Sequence, residues 1–274
     1  MRKHQYFFAV AILAISSLFA GESVIFVHGR GGTCGSDYNT DAGNYWGTSK
    51  NINTALPKYF VTYDGHSDPR TWGNCRAQSK LYQVLEAKCL KRDNNYCYII
   101  CHSAGCYATE YFISTRSPEE VSRYGIKFVF NSSSAAGGSE LADLAFWASS
   151  NMVDALKTNN ARGSYNHNNM KGIPFYMLAG YKGAWYSFYL PGEDDGAVSF
   201  HSTCGINTTG DYSNCASGYR YSHHYIWTGR SSSSSWNSSK NGYYRQHSGD
   251  GSDAINTAMK QEWNACKSLG LGCK

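Results

Sequence analysis

Residues 98–106 read YIICHSAGC, and what they form decides the fold. Tyr98 to Cys101 is an apolar, β-branched run of the kind that makes a buried strand, and AGCYATEYFISTR from Ala104 onward reads as a helix. Between them the chain must turn sharply at Ser103. A serine on a tight strand-to-helix turn has its hydroxyl held outward at the positive end of the helix. The pattern Cys101-His102-Ser103-Ala104-Gly105 departs from G-x-S-x-G at Cys101, where the close approach of strand and helix asks for a small side chain. A serine between small residues is often only a turn; the strand before and the helix after favour a nucleophile.

The same alternation extends to both sides. SVIFVHG (23–29), KYFVTYDG (58–65), IKFVFN (126–131) and IPFYMLAG (173–180) read as further strands. A short helix is expected from Trp46 to Leu56, and RAQSKLYQVLEAKCLKR (76–92) has helical spacing at Leu81, Val84, Leu85 and Cys89. Each strand is an apolar run and not an alternation, which predicts a mostly parallel central sheet with helices on both faces and a functional site at the carboxyl ends of the strands. From about 196 to 242 Ser, Asn, Gly and Tyr dominate, and an irregular excursion is expected there. A short strand at GYYRQ (242–246) and a last helix from about Ser252 to Lys267 follow.

At 274 residues the chain suits a single α/β domain. Residues 1–20, MRKHQYFFAVAILAISSLFA, have the layout of a secretory signal peptide, two basic residues before a short apolar run ending in small residues, with cleavage expected near Ala20. No second apolar segment of that length follows, so no stable membrane anchor is expected after cleavage, and the localisation expected is secreted, extracellular or periplasmic. Ten cysteines, an even number, suit an oxidising compartment. Loop length favours Cys204 with Cys215 and Cys266 with Cys273, then Cys89 with Cys97 and Cys34 with Cys75; Cys101 and Cys106 are read as buried or paired, not as thiol catalysts. There is no CxxC pair, so structural zinc is disfavoured. A net charge of +5, with scattered Lys and Arg, argues against a nucleic-acid partner, and a monomer is expected. Asn131, Asn207 and Asn237 head N-x-S/T sequons, acceptors only where exposed and in a glycosylating host.

VHGRGG (27–32), CHSAGC (101–106) and LAGYKGAWYSFYLPGEDDGAVS (178–199) together resemble the α/β-hydrolase fold, and within it the compact secreted lipase and esterase group that begins at the oxyanion strand. The resemblance implies a Ser-Asp-His triad in that chain order, with an oxyanion hole made by the backbone N–H groups of Arg30 and Ala104 and no cofactor or metal. It places the acid at Asp195 in D-G-x-V, with Glu193 and Asp194 as competitors or, in a minority of cases, calcium ligands. The base falls to His247, in the loop before the last helix, with His224 and His223 as the alternative. His102 would shape the pocket, while His66 and His167 are expected to be solvated. The segment 139–157 reads as a helical, lid-like region with Leu141, Leu144, Ala145, Ala148, Met152 and Val153 in a stripe beside Phe146 and Trp147, or equally as a core helix.

The activity implied is hydrolysis of a carboxylic ester or lipid through an acyl-enzyme; a polyester depolymerase or thioesterase would carry the same triad. A non-catalytic surface or carbohydrate-binding protein on this fold is suggested by 22 tyrosines and 7 tryptophans. A metal-dependent hydrolase using His201, His223 and His224 is the third class.

Overall fold

A computed structural model describes residues 21–145, 150–205, 212–216, 221–227, 235–249, 255–266 and 273. The expected leader at 1–20, Phe146 and Trp147, Asn207 and most of the serine run at 231–235 lie outside these residues.

Six strands form one sheet: β1 (Gly21–Val27), β2 (Lys58–Val61), β3 (Asn95–His102), β4 (Ile126–Ser132), β5 (Phe175–Leu178) and β6 (His224–Ile226), in the order β2-β1-β3-β4-β5-β6. Every neighbouring pair is parallel. The apolar runs have a direct structural reason. Ile25, Val27, Ile99 and Cys101 pack on one face of the sheet, while Val24, Phe26, Tyr98 and Ile100 pack on the other, so neither face can be polar. The first face is covered by α1 (Ala77–Lys88) and α2 (Ala104–Thr115), which bury Leu81, Val84, Leu85, Phe112 and Ile113. The shorter helices α3 (Pro118–Ser122), α4 (Glu140–Leu144), α5 (Asn151–Leu156), α6 (Thr158–Gly163) and α7 (Phe200–Thr203) fill the connections. α8 (Ile255–Ala265) packs Met259 and Trp263 on the second face.

Strand order reverses between β1 and β3, because the chain leaves β1 toward β2 on one side and returns to β3 on the other. A crevice opens at the carboxyl ends of such a pair. Gly29 to Gly32 follow β1 there and Ser103 follows β3.

Four expectations change. Of the helix expected from Trp46 to Leu56 only a single 3-10 turn, Gly47–Lys50, forms, with another 3-10 turn, Ala42–Asn44, just before that stretch. Asn51, Asn53 and Thr54 favour local side-chain bonds over a helix, as where the Thr54 hydroxyl accepts from the Leu56 N–H, and Pro57 ends the segment. The stretch 196–242 is not wholly irregular, since it supplies α7 and the edge strand β6. The strand within 242–246 is reduced to β8 (Gly242–Tyr243), paired antiparallel with β7 (Trp236–Asn237) in a separate hairpin. In the segment 139–157 the single expected stripe divides between α4 and α5; Leu144 is exposed, whereas Met152 is fully buried.

Five disulfides join Cys34–Cys75, Cys89–Cys97, Cys101–Cys106, Cys204–Cys215 and Cys266–Cys273. Asn131 is fully buried in β4, where its amide donates to Glu110. Among the described residues no helix is long and apolar enough to cross a membrane.

Candidate active site

Ser103 sits at φ 56°, ψ −130°, between the last residue of β3 and the first of α2. L-residues seldom adopt that conformation, so surrounding structure must impose it. Its N–H donates to Ser132 C=O at 3.2 Å, while its own C=O accepts from Cys106 N–H at 3.0 Å and Ala135 N–H at 3.2 Å. The Cys101–Cys106 disulfide closes the turn covalently. Gly105 permits the approach of helix to strand, for a Cβ there would lie 2.3 Å from the carbonyl oxygen of His28.

Two loops converge on this serine. Asp195 follows β5 and is buried. Its Oδ1 accepts from the N–H groups of Ala197 at 3.0 Å and Val198 at 2.8 Å, a turn that orients the carboxylate, and Oδ2 accepts from the Ser133 hydroxyl. His247 arrives by the hairpin: Tyr243 N–H donates to Ala179 C=O and Tyr181 N–H to Tyr243 C=O, which splices β8 onto the end of β5. The His247 N–H then donates to the Asp195 carbonyl at 2.8 Å. With backbone and side chain both fixed, His247 Nδ1 lies 2.9 Å from Asp195 Oδ2, and Nε2 lies 2.9 Å from Ser103 Oγ. Because an ionised carboxylate only accepts, Nδ1 carries the proton and Nε2 accepts from the serine hydroxyl. Such a chain can draw the hydroxyl proton onto the imidazole as the oxygen attacks.

The remaining expected residues fall as follows. Ala104 begins α2, where its N–H has no intrahelical acceptor, and Arg30 lies on the rim of the same cleft. Among the described residues neither N–H donates to a backbone carbonyl. Glu193 is held by Lys240, and Asp194 Oδ1 accepts from Ser187 Oγ and Gly196 N–H; neither reaches His247. Burial raises the Asp194 carboxyl above its usual range.

His223 is exposed, while His224 is buried at the start of β6, with Nε2 3.6 Å from Glu110 Oε2. Neither is in contact with Ser103. His167 was expected in solvent and is instead buried, its ring centroid 3.9 Å from that of Tyr165 and Nδ1 4.0 Å from Glu110 Oε2. The cause is Glu110, a carboxylate buried on α2, which needs polar partners around it. Burial would raise its pKa, but His224, His167 and Tyr165 hold it below the usual value. His66 is exposed, as expected. His201 packs edge-on to Tyr212, and among the described residues no three His, Cys, Asp or Glu side chains converge on a metal position. The three-histidine metal site is therefore not formed.

Other contacts had no counterpart in the sequence reading. His102 Nε2 donates to the His247 carbonyl at 3.2 Å, and its Nδ1 accepts from Tyr45 OH at 2.6 Å. Burial, then the neighbouring His247, pushes its pKa well down, which keeps a second charge away from His247. His28, beneath the turn after β1, donates from Nδ1 to Gly29 C=O and accepts at Nε2 from Tyr63 N–H; burial lowers it to about 4. Ser133, anchoring Asp195, is the middle of a three-serine run, Ser132 to Ser134, at the carboxyl end of β4, where polar residues are a signal of the site.

The cleft has a volume of about 570 Å³. Leu141, Ala145, Val153, Leu156 and Val198 give it an apolar lining, and Thr48, Ser49 and Thr257 add hydroxyl groups.

Two solved structures share this arrangement of chain. A lipase of Bacillus licheniformis in its mature form is 20% identical, covering 74% of this chain and 85% of its own, with a TM-score of 0.50. The lipase of Staphylococcus hyicus is 11% identical, covering 92% of this chain and 95% of its own, with a TM-score of 0.51. No protein-family model and no curated protein matches the sequence. The fold is that of the α/β-hydrolases, with its mostly parallel sheet between helices.

Proposed function

We propose that this chain is a secreted, monomeric serine hydrolase of carboxylic esters, a lipase or esterase, working through Ser103, His247 and Asp195. The observation that carries the reading is the continuous hydrogen-bonded line from Ser103 Oγ through the His247 ring to Asp195, with 2.9 Å at each link. Five disulfides favour an oxidising compartment, in keeping with the basic-then-apolar character of residues 1–20.

In this mechanism His247 takes the Ser103 proton as Oγ attacks the ester carbonyl. Negative charge then develops on the carbonyl oxygen, facing the N–H groups of Arg30 and Ala104; one such donor is worth about 3 kcal/mol in the transition state. Asp195 stabilises the imidazolium, which returns its proton to the departing alcohol. Water, activated by the same histidine, releases the acid from Ser103. The apolar lining of Leu141, Ala145, Val153 and Leu156 suits the acyl chain. Polyesters and thioesters would meet the same groups, and the shape of the alcohol or thiol side decides among them.

Labelling with a fluorophosphonate and hydrolysis of a p-nitrophenyl ester series test the reading together. The wild type should be labelled at Ser103, and Ser103→Ala should lose label and about 10⁶-fold in turnover while melting at the wild-type temperature. An unlabelled, inactive wild-type protein would favour a binding role for the fold.

A further inference from the structure

Beyond the carboxyl end of β5 the chain makes a short turn reading Trp185-Tyr186-Ser187-Phe188-Tyr189. Trp185 is 87% exposed, Phe188 71% and Tyr189 51%. One exposed aromatic residue calls for no explanation, but three within five residues make a patch that water solvates poorly. Trp72 shows the contrast. It is half-exposed, yet the Arg116 guanidinium lies 4.6 Å over its ring and Tyr82 meets its edge. Among the described residues no cation covers Trp185 or Phe188, and their ring neighbours are Tyr186 and Tyr189 of the same turn.

The turn is firmly built. Ser187 Oγ accepts from Ala184 N–H at 2.7 Å and donates to Asp194 Oδ1 at 2.6 Å; Tyr189 N–H bonds Tyr186 C=O, and Leu190 anchors the exit in the interior. It also stands beside the cleft. A Cβ on Gly196 would lie 3.3 Å from the Ala184 Cβ, and the next two residues, Ala197 and Val198, line the cleft that holds Ser103.

Charge narrows the partner. Asp194 and Asp195 are buried and Glu193 is bridged to Lys240, so the carboxylates here are turned inward or paired. Lys182, at the foot of the turn, is half-exposed, and Arg30 on the cleft rim is exposed. Exposed aromatic rings beside inward-turned or paired carboxylates, on a chain of net charge +5, suit the boundary between anionic head groups and acyl chains.

We infer that Trp185, Phe188 and Tyr189 form a surface that seats the protein on an anionic lipid aggregate, with the cleft facing it. The choice of a lipid rests on reading the neighbouring cleft as an ester site, and the binding itself can be measured without turnover.

Ser103→Ala protein is sedimented with phosphatidylglycerol vesicles, then again carrying Trp185→Ser and Phe188→Ser. The parent should bind, the double substitution should weaken binding at least tenfold, and phosphatidylcholine vesicles should bind less than phosphatidylglycerol. Trp72→Ser serves as the control and should bind like the parent. In a background that retains Ser103, the double substitution should leave hydrolysis of soluble p-nitrophenyl acetate unchanged. A parent that does not sediment, a double variant that binds as the parent does, or capture by insoluble polysaccharide in preference to vesicles would overturn the inference. Vesicle binding by a wild-type protein with no esterase activity would instead overturn the catalytic reading and leave the surface standing.

Discussion

Ser103 and His247 meet at 2.9 Å by opposite routes. Ser103 is fixed largely within its own motif, by the adjacent strand and helix and a disulfide between residues 101 and 106, with bonds to Ser132 and Ala135 past the neighbouring strand as its longer-range ties. His247 comes 144 positions later, carried on a two-residue strand and tied to Asp195 and His102 through its own main chain. One position is a property of a local motif and the other a sum of distant contacts. The first should therefore tolerate change elsewhere in the molecule, and the second should register it.

The contrast can be broken most sharply at the acid. Asp195→Asn should lower kcat/KM by about 10⁴-fold, because the amide cannot hold His247 in the tautomer that accepts from Ser103, whereas Asp194→Asn should cost less than tenfold. Steady-state hydrolysis of a soluble ester decides it, and equal losses would remove Asp195 from the triad.

A smaller effect separates the floor of the site from its rim. His28 binds a proton near pH 6.5 when unfolded but only near 4 when folded. Below pH 6.5 the unfolded state takes up the proton first, so this contribution to stability is whole above 6.5 and shrinks as the pH falls to about 4. The loss amounts to about 3 kcal/mol at most. Burial lowers His102 and His167 in the same direction. Urea unfolding between pH 7 and 4.5 should show the decline, and a flat profile would mean that His28 is not buried neutral beneath the turn.

The smallest effect sharpens the comparison. Ser133→Ala removes one hydrogen bond to the Asp195 carboxylate and leaves the two from Ala197 and Val198. We expect kcat to fall about tenfold with KM little changed, in line with one charge-assisted hydrogen bond. A loss confined to KM would place Ser133 in substrate binding.

Much of this was legible in the sequence because the signals are short-ranged. Apolar runs named the first five strands, and CHSAGC placed Ser103 between strand and helix. Three short-loop disulfides, Cys89–Cys97, Cys204–Cys215 and Cys266–Cys273, follow from spacing, whereas the direct link between Cys101 and Cys106 does not. What stayed hidden depends on contacts between distant segments. β6 has only three residues, His224-Tyr225-Ile226, too few to show a pattern against its polar neighbours. His167 reads as a surface residue in an Asn-rich loop until Glu110, on a different helix, draws it inward. The stripe at 139–157 suggests one continuous helical region, and the chain divides it because Ser150 caps a new helix, its Oγ accepting from Val153 N–H.

Asn131 begins the sequon Asn-Ser-Ser, yet its side chain is sealed between β3, α2 and β5, bonded to Glu110 and touching Met177. Oligosaccharide transfer acts on a chain as it emerges, before a parallel sheet of this kind has assembled. A sugar attached at Asn131 would be too large and too hydrophilic for that interior, and β4 could not take its place beside β3. In a glycosylating cell, folding and modification would thus compete for the same amide, and the yield of folded protein would report which process was faster.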